Sequence, residues 1–370
     1  MNKKIEVCIE KLIPGGKGLA RVDGKVVFVP FVLPGEIVEI VINKEKKNYS
    51  EADLISIIKK SSNRVEPECE YYYECGGCNM QHISYDTQLK EKILFAKNLL
   101  ERNGGIVINN IDIIPSKPFN YRNRIQIHLS GQKKCFKKRA SNESLEINSC
   151  PVATGGVNRF LSQKKKISAE NERLTVFGKE NWFSTENDKD DIHIKLNNKN
   201  IYFNSKLFFQ SNISILPMLS DYLNKHVEGE TLLDLYCGVG VLSSMVEDKF
   251  KKIITVEVNK HVGPFITRNL SIEHEFFPMS LEKWTKGRKM EKQADTIIID
   301  PPRTGLTKTV REFLNKSKAG KIIYVSCDPA TMARDLKEIM EKSYKIHDLK
   351  LFDFYPQTSH MEAVAILSRI

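Results

Sequence analysis

The sequence has no run of about 18 apolar residues, the length that a membrane-spanning helix needs, which excludes a helical membrane protein. Its first residues lack the apolar stretch of a signal peptide and carry Glu6 early, so we expect a cytoplasmic protein. No internal repeat is visible. Hydrophobic residues make up 41% of the 370 residues and charged residues 28%, which excludes wholesale disorder and predicts two or three globular domains.

Disulfide bonds are not expected in a cytoplasmic chain, so the eight cysteines are interpreted first as metal ligands or nucleophiles. Lysine and arginine number 57 against 46 aspartate and glutamate, a formal net charge of +11. This excess favours a polyanionic partner, above all nucleic acid. A lysine-rich composition without such a partner gives the same excess.

The hydrophobic pattern changes twice along the chain. Residues 1–60 alternate in short strands with Gly and Pro turns, which predicts a small β-barrel. Residues 61–205 carry closely spaced cysteines, a helix from Ser84 to Arg102 and strands with basic connections. From 206 onward, strands alternate with helical segments, which predicts a parallel, doubly wound sheet. The predicted strands there are 231–236, 252–257, 294–300, 321–326 and 363–367.

A glycine loop follows the first of these strands, in Asp234-Leu235-Tyr236-Cys237-Gly238-Val239-Gly240. The full G-x-G-x-x-G spacing of dinucleotide enzymes is absent, because Ser243 stands at the third position. Glu257 ends the next strand, where a carboxylate accepts hydrogen bonds from both ribose hydroxyls of a nucleoside. The loop therefore favours a nucleoside-containing cofactor.

Three residues at later strand ends suggest catalysis. Asp300 begins the rigid turn Asp300-Pro301-Pro302-Arg303. Cys327 lies between a strand and a helix, where we expect the helix N-terminus to lower the thiol pKa and favour the thiolate. Glu362 enters the last strand, where it is a candidate general base. A small buried apolar cysteine is the common alternative for Cys327, although its place at a strand end beside the glycine loop favours a nucleophile. A glutamate at this position, taken alone, is far more often a surface residue.

A second group of cysteines consists of Cys69, Cys75, Cys78 and the distant Cys150, and four cysteines are able to ligate an iron–sulfur cluster or zinc. Their spacing is not the usual paired spacing of zinc sites. The spacing does not select the metal, and four free thiols is the remaining alternative. Downstream, Tyr121-Arg122-Asn123-Arg124 combines an aromatic ring with basic groups, a combination that suits an unstacked base and its phosphates. Arg122 is the candidate RNA contact; a core tyrosine beside surface arginines is the simpler reading.

Together, the glycine loop, the Asp300 turn, Ser326-Cys327-Asp328-Pro329 and the cysteine segment resemble the RNA 5-methyluridine methyltransferases, specifically the 23S rRNA (uracil-5-)-methyltransferase family with an N-terminal TRAM domain. The resemblance implies a C-terminal Rossmann-like class I methyltransferase domain in 206–370. It also implies a small OB-like TRAM barrel in 1–60 and a central α+β domain carrying an iron–sulfur segment in 61–205.

The resemblance further implies roles for individual residues. Cys327 would be the nucleophile that adds to carbon 6 of uracil, and Glu362 would accept the carbon 5 proton. S-Adenosylmethionine would be the methyl donor, bound by Gln210, Tyr236, Glu257 and Asp300. A [4Fe–4S] cluster would be held by Cys69, Cys75, Cys78 and Cys150 in a structural or RNA-positioning role.

The predicted function is therefore formation of 5-methyluridine in 23S rRNA on a flipped or single-stranded base, without an obligate protein partner. Methylation of tRNA is the nearest alternative. A catalytically inactive iron–sulfur RNA-binding protein and a nucleotide-linked oxidoreductase are alternatives of other classes. Cytosine-5 methylation is disfavoured, because the turn at Asp300 lacks the cysteine that such RNA enzymes use.

Overall fold

The computed structural model describes residues 4–163, 172–287, 294–341 and 343–370. Within these ranges the strands form four separate sheets. None of the helices described combines the length and apolarity that a membrane span requires.

The N-terminal sheet is built from strands with alternating apolar and polar residues. Its strands are β1 (Ile5–Cys8), β2 (Lys11–Leu12), β3 (Gly18–Val22), β4 (Lys25–Val29), β5 (Ile37–Glu45) and β6 (Tyr49–Lys59). They are ordered β1-β5-β6-β4-β3-β2. The sheet curls so that β1 contacts β3, and its alternate side chains, including Val27, Val38 and Ile40, form a core of their own. The predicted barrel is confirmed.

One long helix and one short strand follow the cysteine segment. They are α1 (Tyr85–Gly104) and β7 (Asp112–Ile114). The helix begins after Ser84, as predicted, and ends where Gly105 adopts a left-handed φ of 66°.

A five-stranded antiparallel sheet forms the middle of the chain. Its strands are β8 (Arg124–Ser130), β9 (Lys133–Lys137), β10 (Ser144–Glu146), β11 (Arg173–Lys179) and β12 (Trp182–Thr185), in the order β10-β9-β8-β11-β12. Helix α2 (Gly155–Ser162) packs on β11 and β12. The approach is close, because a Cβ on Gly156 would lie 1.9 Å from the Trp182 carbonyl oxygen. A ribbon of β13 (Ile192–Leu196) and β14 (Lys199–Phe203) follows.

The largest sheet has eight strands and carries the motifs of the C-terminal half. Its remaining strands are β15 (Thr231–Leu235), β16 (Lys252–Glu257), β17 (Glu273–Pro278), β18 (Thr296–Ile299), β19 (Lys321–Ser326), β20 (Tyr344–Phe352) and β21 (Glu362–Arg369). The connecting helices are α3 (Leu216–Asn224), α4 (Val241–Val246), α5 (Gly263–Asn269), α6 (Leu281–Trp284), α7 (Lys308–Lys316) and α8 (Pro329–Met340). The strand order is β17-β16-β15-β18-β19-β21-β20-β7.

The directions of these strands determine where the site lies. Strands β15 to β19 are parallel, as predicted, but β21 runs antiparallel to both β19 and β20. The expectation of a wholly parallel sheet is therefore wrong, because a short connection returns β21 directly beside β20. The first residue of β21 consequently lies at the same edge as the carboxyl ends of β15, β16, β18 and β19.

Apolar layers cover both faces of the large sheet. Helix α1 supplies Phe95 and Leu100 to the layer that also contains α7 and α8. A Cβ on Gly104 would lie 2.7 Å from the Ala333 carbonyl oxygen, so α1 and α8 are in close contact. Both α1 and β7 precede residue 206 yet pack with the large sheet, and the domain ranges 1–60, 61–205 and 206–370 stay a prediction.

Candidate active site

The glycine loop turns sharply after β15. Tyr236 has a φ of 62°, unusual for a bulky residue, and its N–H donates to the Val256 carbonyl oxygen at 3.0 Å. Gly240, with a φ of 81°, allows α4 to begin at once. The result is a tight concave turn at the carboxyl edge of the sheet.

Two carboxylates fix this loop. Ser243 Oγ donates to Asp234 Oδ2 at 2.5 Å, which explains why serine stands at the third position of the glycine pattern. Asp234 is fully buried, and burial raises its pKa to about 7. Glu257 accepts from the Gly238 N–H at 3.4 Å and from the Asn259 N–H at 3.0 Å. Its carboxylate therefore lies against the loop, where a nucleoside ribose would meet it.

The ends of β18, β19 and β21 bring three further groups together. The Asp300 N–H donates to the Leu235 carbonyl oxygen at 3.3 Å, so Asp300 adjoins the glycine loop. Burial and the Asp234 charge raise the pKa of Asp300 to about 7. Glu362 is 7% exposed, and its Oε2 has no hydrogen-bond partner within the part of the chain that the structure describes. Burial, followed by the charge of Asp300, raises the pKa of Glu362.

Cys327 follows β19, half-buried beside these carboxyl groups. Burial and the charge of Glu362 raise its pKa to about 11, while Arg303 acts in the opposite direction. The expectation of a lowered thiol pKa is therefore wrong for the ligand-free protein. The physical reason is that burial, followed by the charge of Glu362, disfavours the thiolate. Two N–H groups at the start of α8, those of Ala330 and Thr331, donate to Asp328 Oδ1 at 2.9 and 3.1 Å.

The segments that contain Gln210 and Arg122 lie outside the large sheet and are linked to the loop before Glu362. Gln210 is partly exposed in the segment after β14, and the neighbouring Ser211 carbonyl oxygen accepts from the Asn123 N–H at 2.7 Å. The Asn212 side-chain amide donates to the Phe354 carbonyl oxygen at 3.1 Å. The segment of Gln210, the segment of Arg122 and the loop before Glu362 are thus joined by hydrogen bonds.

Sequence reasoning missed two residues of this region. Tyr355 is partly buried, and its pKa is raised by burial and then by the charge of Glu362, with Arg122 opposing. The positive charge of Arg303 acts to lower the pKa of both Cys327 and Glu362. Arg303 is the last residue of the turn Asp300-Pro301-Pro302-Arg303, so the sequence motif could have predicted it. Nothing in the local sequence distinguishes Tyr355.

The four predicted cysteine ligands line one cavity of about 420 Å³, although Cys150 is remote in sequence. The Arg139 guanidinium donates to the carbonyl oxygens of Cys75 and Cys78, at 3.1 and 2.6 Å. Burial raises the pKa of Cys78 to about 11, and Cys75 and Cys69 contribute in the same direction. In the described ranges, no three His, Cys, Asp or Glu side chains converge as ligands of a single metal ion.

The layered sheet, with a glycine loop, an acidic residue after the second strand and reactive groups along one edge, defines a class I methyltransferase fold. A family model for tRNA (uracil-5-)-methyltransferase matches residues 178–370, and a TRAM domain model matches residues 2–55. The chain therefore belongs to the tRNA (uracil-5-)-methyltransferase family. The predicted family and fold class are confirmed, as is the prediction of a methyltransferase.

Individual relatives align with this chain over almost its whole length. An RNA methyltransferase of Treponema denticola is 32% identical, with 100% of each chain covered. The 23S rRNA (uracil(1939)-C(5))-methyltransferase of Shewanella sediminis is 29% identical, with 99% of this chain and 96% of the relative covered. A crystal structure of the Pyrococcus abyssi tRNA (uracil-54, C5)-methyltransferase with S-adenosyl-L-homocysteine has a TM-score of 0.76 and 25% identity, covering 98% of this chain and 99% of that one. These matches support RNA as substrate and S-adenosylmethionine as cofactor.

Proposed function

We propose that this protein methylates carbon 5 of a uridine in 23S rRNA through a covalent adduct with Cys327. The observation that carries the proposal is the placement of Cys327 and Glu362 at adjacent ends of β19 and β21, beside Asp300 and the glycine loop. A nucleophile, a base and a cofactor loop thus share one sheet edge.

Carbon 5 of uracil is too weak a nucleophile to accept a methyl group directly. Addition of the Cys327 thiolate to carbon 6 would move the ring electrons toward carbon 5. S-Adenosylmethionine would supply the methyl group: its methyl–sulfur bond would break as the bond to carbon 5 forms, leaving S-adenosylhomocysteine. The Glu362 carboxylate takes the carbon 5 proton, the bond from sulfur to carbon 6 breaks, and Cys327 leaves as the thiolate.

Burial and then the charge of Glu362 raise the pKa of Cys327, and burial and then the charge of Asp300 raise the pKa of Glu362. A positive charge beside Asp300 would favour ionisation of Glu362 and of Cys327. S-Adenosylmethionine would supply a positive charge through its sulfonium, and Gln210, Tyr236 and Glu257 are the residues proposed to hold the rest of that molecule.

The four cysteines Cys69, Cys75, Cys78 and Cys150 are proposed to hold a [4Fe–4S] cluster. The support for this proposal is that all four cysteines are among the residues that line one cavity of about 420 Å³. A [4Fe–4S] cluster is held by four cysteine thiolates, each on a different iron, so its ligands do not converge on one ion. The methyl transfer needs no redox step. The cluster would therefore tie Cys150 to the segment of Cys69 to Cys78 as a structural element.

The test is methyl transfer from labelled S-adenosylmethionine to separate 23S rRNA and tRNA transcripts, followed by digestion to nucleosides. We expect labelled 5-methyluridine from 23S rRNA, its loss in Cys327→Ala and Glu362→Gln, and unchanged activity in the control Cys8→Ala, which alters an exposed cysteine of β1. Label in tRNA alone would keep the mechanism and overturn the substrate. Turnover by Cys327→Ala would refute the covalent adduct.

Methylation of tRNA is the second candidate function, favoured by the likeness to the Pyrococcus abyssi enzyme.

Iron and sulfide analysis of protein purified without oxygen tests the cluster separately. About four irons per chain, lost in Cys78→Ser but kept in Cys135→Ser, would support it. Zinc in place of iron would refute it.

A further inference from the structure

A second cavity of about 230 Å³ opens beside Cys327, where the N-terminal barrel meets α1 and the large sheet. It is smaller than the roughly 300–1,000 Å³ of sites for drug-sized ligands, so it suits one planar ring system. Its other lining residues come from a turn of the barrel, from α1 and from the loops that flank Cys327 and Glu362: Pro14, Gly15, Phe95, Leu99, Asp328, Pro329, Ala330, Ser359, His360 and Met361.

This cavity is not the place of the target uracil. Under the proposed function the target contacts both Cys327 and Glu362, whereas Glu362 and Asp300 are not among the described residues that line the cavity. We propose that the cavity receives the base of an RNA nucleotide adjacent to the target uridine. This inference rests on the proposed function, because it places the cavity next to the reacting base.

The walls favour a base over a phosphate. Phe95 and Leu99, four residues apart on one face of α1, are joined by Met361 in an apolar lining. The N-terminus of α8 offers no anion site there, because Pro329 has no N–H and Asp328 already accepts from the next two N–H groups. The Asp328 carboxylate also repels a phosphate.

The polar groups of the cavity indicate which base it takes. An ionised carboxylate only accepts hydrogen bonds, so Asp328 favours a ring edge with an amino group. Adenine, cytosine and guanine carry such a group and uracil does not. Ser359 and His360 add groups that are able to bond the remaining ring edge.

The barrel turn contributes a rigid wall. Gly15 has a φ of +99°, and a Cβ there would meet no atom within 4 Å, so a ligand is able to approach its backbone. Its carbonyl oxygen accepts from Asn79 Nδ2 at 2.7 Å, and Asn79 also bonds the Ser359 N–H through Oδ1 at 2.9 Å. One side chain thus fixes the turn against the loop that leads to Glu362.

The test combines a blocking variant with RNA that lacks single bases. The full-length protein and Leu99→Trp are compared on a short 23S rRNA fragment that carries the target uridine, and on the same fragment made abasic at each flanking position in turn. Leu94→Trp is the matched control, because Leu94 is a half-exposed residue of the same helix outside the cavity. RNA binding by fluorescence anisotropy and the kcat and KM of methyl transfer are measured.

We expect one abasic position to weaken RNA binding and raise KM about 5- to 150-fold, the range of single-base stacking, with little change in kcat. Leu99→Trp should weaken binding of the intact fragment similarly and remove the further effect of that abasic position, whereas Leu94→Trp should do neither. Replacing the same base with uracil should also weaken binding.

Two outcomes would overturn the proposal. In one, no abasic position affects RNA binding. In the other, the abasic position weakens RNA binding by Leu99→Trp by the same factor as it weakens binding by the unsubstituted protein. Failure of the proposed function has a different signature: no methyl transfer to any fragment, while binding still depends on one flanking base and on Leu99.

Discussion

A buried ion pair supports the loop that leads to Glu362. Its loss should lower the free energy of unfolding by an amount that follows from its burial. Lys92 Nζ on α1 donates to Asp353 Oδ1 at 2.5 Å and to the Tyr355 carbonyl oxygen at 3.0 Å. Both charged side chains are 0% exposed. In Lys92→Met the Asp353 carboxylate would keep the Tyr85 hydroxyl, at 2.9 Å, as a side-chain partner.

Removing one member of a buried pair leaves an uncompensated charge, which costs about 3–5 kcal/mol. We therefore expect Lys92→Met to lower the free energy of unfolding of the large sheet by about that amount, measured by urea titration with circular dichroism. Lys90→Met, on the exposed side of the same helix, should change it by less than about 0.5 kcal/mol.

The double variant Lys92→Met with Asp353→Leu distinguishes an unpaired charge from lost packing. Because it removes both charges, it should recover a large part of the loss, since apolar replacements of buried pairs are often near neutral. The reasoning would be refuted if Lys92→Met resembled Lys90→Met, or if the double variant were less stable than the single one.

Three further predictions concern the cofactor loop and the thiol. Alkylation of Cys327 by iodoacetamide is followed by mass spectrometry of the peptide that contains it. Its rate should be low at pH 7 and rise about tenfold per pH unit toward the thiol pKa of about 11, because only the thiolate reacts. A rate that reaches a plateau below pH 9 would contradict the raised pKa. Glu257→Gln should weaken S-adenosylmethionine binding at least about 5-fold in calorimetry, because the amide replaces one oxygen that accepts from the ribose with a donor. Glu273→Gln, which alters an exposed residue of β17, is the control. Gly240→Ala should cost about 1 kcal/mol or more in thermal stability at its φ of 81°, and unchanged stability would show that the turn relaxes.

The positions of the motifs in the large sheet were predictable, because strand and helix signals alternate and parallel strands end at one edge. Tyr236, Glu257, Asp300 and Cys327 all lie where that rule puts them, although their roles stay predictions. The rule depends only on local pattern and on strand direction.

Contacts between distant segments were not predictable in the same way. The hydrogen bonds that join Asn79 to Gly15 and Ser359, or Lys92 to Asp353, connect residues far apart in sequence that no periodicity links. The electrostatic prediction for Cys327 was wrong for a related reason. The helix dipole is a local effect, whereas burial beside Glu362 depends on the folded site.

The pairing of β7 with β20 has a consequence for how the enzyme is made. Lys350, Leu351 and Phe352 pair with Asp112, Ile113 and Ile114, so a strand from the first third of the chain completes a sheet whose other strands are synthesised later. A fragment beginning at 206 would expose the edge of β20 and the surface of α8 that α1 covers, both liable to aggregate. Because β21 lies between β19 and β20, neither β20 nor β7 joins the rest of the sheet until β21 has been synthesised.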